Sequence, residues 1–305
     1  MGLALVLVLT TGCGALRRTA IRDVARVLSS PSGPNVFAED NDPELVRDAL
    51  PFVLKGYEAL LAAEPRNLNL CLTTAEAFVK YANLFVHEEA QRVERLDFER
   101  ARHLRQRAAK LYVRGRDYAL ECLAFHHPDF DKRLRQDPRH FLHAFSSKDV
   151  PLLFWAAAGW AGAISTDVDN MSLVADLPIA EAMMRRALEL DEDFEDGVIH
   201  EFFITYEGGR SEAMGGSAER ALEHFDRIVK LTRGQKASPY VSLAASVAVR
   251  RQDYTMFKDL LNKALAIDVD RTPEWRLANI LAQEKARWLL DRSEELFLDS
   301  KENES

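Results

Sequence analysis

Between residues 44 and 298, apolar residues recur at intervals of three and four positions. The segment VRDALPFVLKGYEALLAAEP, for example, places Leu50, Leu54 and Leu61 on one stripe, which Pro65 then ends. Such spacing puts the apolar side chains on one face of a helix. No stretch alternates apolar and polar residues between hairpin dipeptides. The pattern predicts an all-α fold.

The helical segments follow one another through short connections, which implies antiparallel helix pairs. NLNLCLTTAEAFVKYANLFVHEEAQRVE (67–94) forms the second helix, and FERARHLRQRAAKLYVRGRDYALECLAFHHP (98–128) the third. We expect Gly115 to break or bend the third helix. We expect a final long helix from about Pro273 to Leu298, with proline at its N-terminus.

Several helices carry a spacing that is typical of tetratricopeptide units: a small residue, a large apolar residue four positions later, and a small residue three positions after that. Ala180, Met184 and Ala187 fit it. Three further sets fit more or less closely: Val53, Tyr57 and Leu60; Ala221, Phe225 and Ile228; Phe257, Leu261 and Ala264. The spacing favours an α-solenoid or bundle of cryptic tetratricopeptide-like helix pairs over an irregular helical bundle.

The N-terminus resembles a lipoprotein signal. Residues 3–9 (LALVLVL) are apolar, but the run is about half the ~20 residues that a spanning helix needs. Cys13 follows Thr10-Thr11-Gly12 as in the lipobox of bacterial lipoproteins, although Thr10 replaces the usual leucine and no basic residues precede the run. The alternative is a buried helix with an ordinary thiol. We predict a signal peptide at 1–12, an anchor at Cys13 with a linker to 43, one domain at 44–298 and a polar tail at 299–305.

Cys71 and Cys122 lie inside helical patterns, and neither belongs to a CxxC or Cys/His motif. The sequence favours two small buried hydrophobic residues, and a disulfide between them is the alternative.

Composition and motifs offer no support for nucleic-acid binding, metal binding or catalysis. The formal net charge is -8, so the protein's field does not attract a polyanion. His140 and His143 lack a partner ligand at metal spacing, and DEDFEDG (191–197) lacks the glycine and glutamate of a calcium loop. GGRSEAMGGS (208–217) is not a phosphate-binding loop, and Ser217 is predicted to cap the next helix. We therefore predict no cofactor, no metal and no catalytic residue.

One helical region is basic within this acidic chain. It contains Arg100, Arg102, Arg105, Arg107, Arg114 and Arg116. The region is either a solvated face paired with Glu89, Glu94 and Asp97, or a docking surface for an acidic partner. For the second interpretation the candidate residues are Arg105, Arg114 and Arg116.

Five segments in one order resemble the TatT, or T-component, family of TRAP-associated proteins. They are RAAKLYVRGRDYAL (107–120), VPLLFWAAAGWAGAIS (150–165), RALELDEDFEDGVIHEF (186–202), AERALEHFDRIVKL (218–231) and RLANILAQEKARWLL (276–290). The resemblance implies a bacterial lipoprotein of tetratricopeptide-like helix pairs that forms a homotrimer with a hydrophobic cleft. It also implies association with a periplasmic solute-binding P-component and contact with a small hydrophobic or organic-acid ligand. Such a protein is an adaptor and not an enzyme.

From these observations we expect a lipid-anchored, periplasm-facing protein in the bacterial envelope. The outer membrane is preferred because Gly14 stands where aspartate often signals inner-membrane retention. The residues expected to line a cleft are Trp155, Trp160, Ala156 and Gly159, followed by Tyr112, Tyr118 and Phe203. The alternative for the two tryptophans is ordinary core packing. The alternative function is an envelope scaffold that contacts no solute.

Overall fold

A computed structural model describes residues 35–127 and 129–298 of the 305-residue chain. The structure is 78% helical and the described residues contain no strand, which confirms the all-α prediction. The signal peptide, the anchor at Cys13 and the polar tail lie outside the described residues. None of the described helices combines the length and the apolar character needed to cross a bilayer.

The described chain divides into two compact units, and the predicted domain boundaries stay a prediction. Unit 1 comprises 47–127 and 129–183, and unit 2 comprises 35–46 and 184–298. The division falls within two helices, α1 (Pro43–Ala63) and α9 (Leu177–Leu190).

Most of unit 1 is built from long helices. After α1 come α2 (Leu68–Tyr81), a π-helical segment (Ala82–His87), α3 (Glu88–Val93), α4 (Phe98–Ala124), α5 (Phe130–Gln136), α6 (Pro138–Leu142), α7 (Val150–Thr166) and α8 (Met171–Ala175). Helix α4 packs against α2 and α7, so it lies at the centre of the unit's contacts.

Unit 2 contains a second set of helices. They are α10 (Phe194–Gly208), α11 (Ala218–Leu231), α12 (Ser238–Leu243), a π-helical segment (Ala244–Ala248), α13 (Val249–Arg251), α14 (Tyr254–Leu265), α15 (Arg276–Asp291) and α16 (Ser293–Leu296). Helices α10 and α11 pack together, as do α14 and α15. The predicted final helix is interrupted, since Pro273–Trp275 is a 3-10 turn and α15 ends at Asp291.

Short polar side chains cap many of these helices. The side chains of Asn67, Asp97 and Asp253 each accept a hydrogen bond from the backbone N–H three residues later. Ser217 accepts from the N–H of Arg220 at 3.2 Å, which confirms the predicted cap of α11. Each such bond satisfies a donor that the first turn of a helix leaves without an internal partner.

The expected break at Gly115 is wrong. Helix α4 runs through Gly115 without interruption. A Cβ atom at this position would lie 2.7 Å from a methyl group of Val79 and 2.9 Å from the carbonyl oxygen of Ala75. The missing side chain therefore serves the close packing of α2 on α4.

The preference for two separate buried thiols is also wrong. Cys71 of α2 and Cys122 of α4 form a disulfide, with their Cα atoms 6.5 Å apart. Both residues are almost fully buried, in a cluster with Tyr57, Leu61 and Leu70. The bridge ties together two helices whose packing positions the rest of unit 1.

Two buried amides on α15 hold neighbouring parts of unit 2 together. The side chain of Asn279 accepts from the N–H of Ala237 at 2.8 Å and donates to the carbonyl of Gln235 at 2.9 Å. Gln283 donates to the carbonyl of Ala264 in the last turn of α14 and to that of Ile267 just after it. Buried polar groups of this kind fix the geometry of a contact because leaving any of them without a partner is costly.

Residues that precede α1 are fixed to the start of α15. The N–H of Leu277 donates to the carbonyl of Ala38 at 3.0 Å. The guanidinium of Arg276 donates to the carbonyl of Glu39 at 2.8 Å. This part of the predicted linker therefore belongs to the ordered structure of unit 2.

Candidate functional site

Helix α7 carries four of the predicted cleft residues and is buried on nearly all its sides. The exposed fraction is 4% for Trp155 and 1% for Trp160. Ala156 and Gly159, which lie between them, are buried as well. A helix without a charged side chain and apolar all round belongs in a protein interior. The structure brings these four residues together inside the protein, where their packing role is evident; their role as cleft residues stays a prediction.

Two glycines allow α4 to approach α7 closely. A Cβ atom at Gly159 would lie 2.9 Å from the carbonyl oxygen of Tyr112 and 3.0 Å from the backbone nitrogen of Arg116. At Gly162 a Cβ atom would lie 2.5 Å from the ring of Tyr112. The two helices run antiparallel, because the later glycine on α7 meets the earlier residue on α4. The helix spacing therefore requires both glycines.

The indole N–H groups of Trp155 and Trp160 are buried and have no hydrogen-bond partner. Cations lie over both rings: Lys80 is 5.0 Å from the ring centroid of Trp155, while Arg116 and Arg135 are 4.9 Å and 5.8 Å from that of Trp160. Cation–π attraction stabilises such contacts. Each unpartnered donor costs about 1–3 kcal/mol, which a ligand oxygen or a water molecule could recover.

Tyr112, another predicted cleft residue, is held by the π-helical segment of unit 1. Its hydroxyl donates to the side-chain oxygen of Asn83 at 3.1 Å and lies 3.4 Å from Nδ1 of His87. Burial raises the pKa of Tyr112 far above its ordinary value, and the charge of Glu88 adds to the rise. The hydroxyl therefore stays protonated and acts as a donor.

Tyr118 belongs to a different network, which is only half-buried. Its hydroxyl donates to Glu58 at 2.7 Å, and Lys55 and Arg114 bind the same carboxylate. Burial raises the pKa of Tyr118, and so does its bond to Glu58. Although burial opposes it, hydrogen bonds from Lys55 and Tyr118 lower the pKa of Glu58. The carboxylate therefore remains charged and holds the two cations in place.

Phe203 lies on α10 in unit 2 and is fully buried. Its ring stacks on that of His224, with ring centroids 4.9 Å apart and planes 17° apart. The guanidinium of Arg185 lies 5.1 Å from the centroid of Phe203. The structure therefore places Phe203 in a polar and aromatic cluster of its own unit.

The predicted docking arginines are paired with carboxylates of their own chain. Arg105 binds Glu94 at 2.7 Å, and Arg116 binds Asp117 at 2.7 Å. Arg114 binds Glu58, as described above. Arg100 also binds Glu89 at 2.6 Å. The pairs with Glu94 and Glu89 are those of the solvated face that the sequence offered as its first interpretation, whereas Glu58 and Asp117 are partners that it did not name. Docking through Arg105, Arg114 and Arg116 stays a prediction.

The acidic segment DEDFEDG (191–197) follows α9 and includes the start of α10, where Glu195, Asp196 and Gly197 have positive φ angles. Arg227 donates to Glu192 at 2.9 Å and to Asp193 at 3.0 Å, so these two carboxylates are already paired with a cation of the protein. Within residues 35–127 and 129–298, no three His, Cys, Asp or Glu side chains are grouped so that they could hold a metal ion.

Sequence reasoning missed a buried polar cluster on α10. His200, Phe203 and Glu207 share one face of the helix, and the exposed fraction of Glu207 is 0%. Arg185 and Arg220 bind this glutamate at 3.1 Å and 2.6 Å. The available signal was the spacing, since positions separated by three, four and seven residues lie on one helical stripe. A histidine and a glutamate on an otherwise apolar stripe indicate buried polar contacts.

Comparisons with known proteins cover nearly the whole described chain. The sequence model of the family described as TRAP transporter T-component matches residues 39–297. A protein from Treponema pallidum (strain Nichols), named only as an uncharacterized protein, is 30% identical over 307 residues. That alignment covers 95% of each chain. The match therefore includes both units.

Proposed function

Because the chain belongs to the family of TRAP transporter T-components, we propose that it is a non-enzymatic adaptor that docks the solute-binding P-component of such a transporter. Membership of the family implies association with a TRAP transporter and with the cell envelope. The observation that carries the proposal is the family match over residues 39–297.

We place the protein on the periplasmic side of the envelope, anchored by a lipid on Cys13. The disulfide between Cys71 and Cys122 supports this location, because structural disulfides form and persist in oxidising compartments such as the periplasm. The lipobox-like sequence before Cys13 supports the anchor. The outer membrane is the preferred side because Gly14 follows the anchor where aspartate often signals inner-membrane retention. A homotrimer is the proposed assembly, on the family resemblance stated above.

We propose that the helix pairs are tetratricopeptide-like. Burial of the spaced residues supports this: Ala180, Met184 and Ala187 are almost fully buried. The corresponding positions of α14, Phe257, Leu261 and Ala264, are fully buried too. Small residues at such positions let paired helices approach, as tetratricopeptide packing requires.

The docking surface proposed for the P-component is the basic face of α4. Arg105 and Arg116 lie on this face and contact partly exposed carboxylates, Glu94 and Asp117. An acidic partner surface can compete for guanidinium groups that are paired with exposed carboxylates, because such pairs are weak.

Charge reversal tests this surface. We expect the double variant Arg105→Glu, Arg116→Glu to bind the P-component encoded in the same operon at least about tenfold more weakly at low salt. The control is Arg251→Glu on α13, away from this face, whose arginine is likewise paired with an exposed carboxylate, that of Glu219, at 2.7 Å. Titration calorimetry at two ionic strengths measures both. Equal affinity of the double variant and the control would exclude this face of α4 as the docking surface.

We also propose that the protein contacts a small hydrophobic or organic-acid ligand. The unpartnered indole N–H groups of α7 support it, since an oxygen of such a ligand could accept from them. The alternative function is an envelope scaffold that contacts no solute. Burial of Trp155 and Trp160 favours that alternative, because side chains 4% and 1% exposed already serve packing.

Trp160→Phe separates these two functions. Phenylalanine keeps most of the packing and removes the N–H, so we expect the free energy of unfolding to change by no more than about 1 kcal/mol. If the N–H donates to a ligand oxygen, the affinity for that ligand falls about fivefold. Native mass spectrometry measures the fraction of purified protein that carries a small molecule. A bound fraction that is the same in both proteins would favour the scaffold. Trp160→Ala is unsuitable, because emptying this site costs about 3–5 kcal/mol and confuses binding with folding.

A further inference from the structure

The two histidines of unit 2 are in direct contact across the α10–α11 interface. Nδ1 of His200 on α10 lies 2.8 Å from Nδ1 of His224 on α11. A hydrogen bond between two ring nitrogens needs one N–H and one lone pair. The pair therefore accommodates two neutral rings or one charged ring, but not two charged rings.

The surroundings of the pair determine the tautomers of the neutral state. Nε2 of His200 is buried, makes no hydrogen bond, and faces the carboxylate of Glu192 at 3.8 Å. A hydrogen on Nε2 suits a neighbouring carboxylate better than a lone pair does. In the neutral state His200 therefore carries its hydrogen on Nε2, and His224 donates from Nδ1 to Nδ1 of His200.

One added proton fits this arrangement. It goes to Nδ1 of His200, while the hydrogen of His224 moves from Nδ1 to Nε2 through exchange with solvent. The bond is then donated by a charged ring, which strengthens it. Glu192 and Asp193 favour that charge, and Arg227 opposes it.

A second proton breaks the contact. Nδ1 of both rings would then carry hydrogen, and the two N–H groups would point at each other across 2.8 Å. His224 is the ring that can move, because it is half-buried while the side chain of His200 is 6% exposed. Its movement uncovers the face of Phe203 on which it stacks.

We propose that His200 and His224 form an acid-sensitive latch between α10 and α11, which holds with up to one bound proton and opens when both rings are protonated. The proposal does not depend on the function given above, because it concerns only the internal packing of unit 2.

The charged groups around the pair support the latch. Burial above all, and then the neighbouring His200, lower the pKa of His224 to about 4; Glu207 opposes the shift, while Arg185 and Arg220 add to it. Burial is also the main cause of the lowered pKa of His200. The pKa of about 4 belongs to His224, the ring that takes the second proton.

The direction of the pH effect follows from linkage. A histidine whose pKa is lower in the folded protein than its ordinary 6.5 binds fewer protons than it does in the unfolded chain. Its stabilising contribution is therefore complete above about pH 6.5 and is lost as the pH falls towards about 4. Because His224 is only half-buried, solvent reduces the effect, and we expect the opening equilibrium of the α10–α11 contact to rise roughly tenfold to a hundredfold over this range.

Two measurements on the whole protein test the latch. Nitrogen-detected NMR of the imidazole rings should show one ring with a lone pair on Nδ1 at pH 7 and a second protonation near pH 4. Hydrogen exchange, corrected for its intrinsic pH dependence, should show protection of α10 and α11 falling at least tenfold more than that of α4 between pH 6.5 and 4.

His224→Phe is the diagnostic variant, because phenylalanine keeps the stack on Phe203 and cannot be protonated. In this variant we expect α10 and α11 to lose no more hydrogen-exchange protection between pH 6.5 and 4 than α4 does. His200→Gln provides the same test if His224→Phe fails to fold, and the exposed His103→Gln is the control that should behave as wild type. Two rings that titrate independently near 6.5, or equal acid-induced loss of protection in wild type and the latch variants, would overturn the proposal.

Discussion

Removing the Cys71–Cys122 disulfide is expected to lower the free energy of unfolding by about 4 kcal/mol. The bridge spans 51 positions of sequence, and closing a loop of that length removes this much conformational freedom from the unfolded chain. Because both sulfurs are buried between α2 and α4, reduction should act on unit 1 as a whole. Urea unfolding of the double variant Cys71→Ala, Cys122→Ala, compared with wild type with and without reductant, measures the effect.

Cys13→Ser is the matched control, because it removes the third cysteine and leaves the bridge intact. We expect its unfolding to match that of wild type in the absence of reductant. The same variant tests the lipid anchor, since it should no longer incorporate labelled palmitate when produced in its host. Identical unfolding of wild type with and without reductant would contradict a stabilising role for the disulfide.

Gly159→Val is expected to lower the free energy of unfolding by about 3 kcal/mol. The new Cβ atom would lie 2.9 Å from the carbonyl oxygen of Tyr112 and 3.1 Å from Cβ of Arg116, so α4 and α7 must separate. Backbone atoms cannot turn aside as a flexible side chain can, and overpacking of this kind costs about 1–3 kcal/mol or more. Thermal and urea unfolding report the change.

Gly56→Val is the control for helix propensity. Gly56 lies within α1, and no atom lies within 4 Å of where its Cβ would be. Valine there should change stability by no more than about 0.5 kcal/mol, because valine is slightly the better helix former. An equal loss in both variants would mean that the close approach of α4 and α7 does not limit residue 159.

Most of the fold could be predicted from the sequence, because each helix has its own local signals. Apolar stripes, prolines at the ends of segments and capping residues such as Ser217 are all visible within a few positions. Gly115 shows where this reasoning fails: glycine weakens a helix locally, but contacts with α2 stabilise α4 through it. The close packing of α2 on Gly115 keeps α4 continuous, and a single sequence does not show which residue of another helix faces this glycine.

The candidate site was less predictable for the same reason. Composition indicated that α7 packs closely, yet the pairing of its glycines with Tyr112 and Arg116 depends on how α4 lies against it. Cys71 and Cys122 likewise carry no local motif, and only the packing of α2 on α4 brings them together. His200 and His224 are 24 positions apart on different helices.

The hydrogen bonds from Arg276 and Leu277 to the backbone of residues 38 and 39 can form only late in the synthesis of the chain. The accepting carbonyls are synthesised 237 positions or more before their donors. Unit 2 therefore reaches its final form only after residues 276 and 277 have been made. This delay fits the periplasmic location proposed above, because a chain that is exported before it folds benefits when one of its units cannot close early.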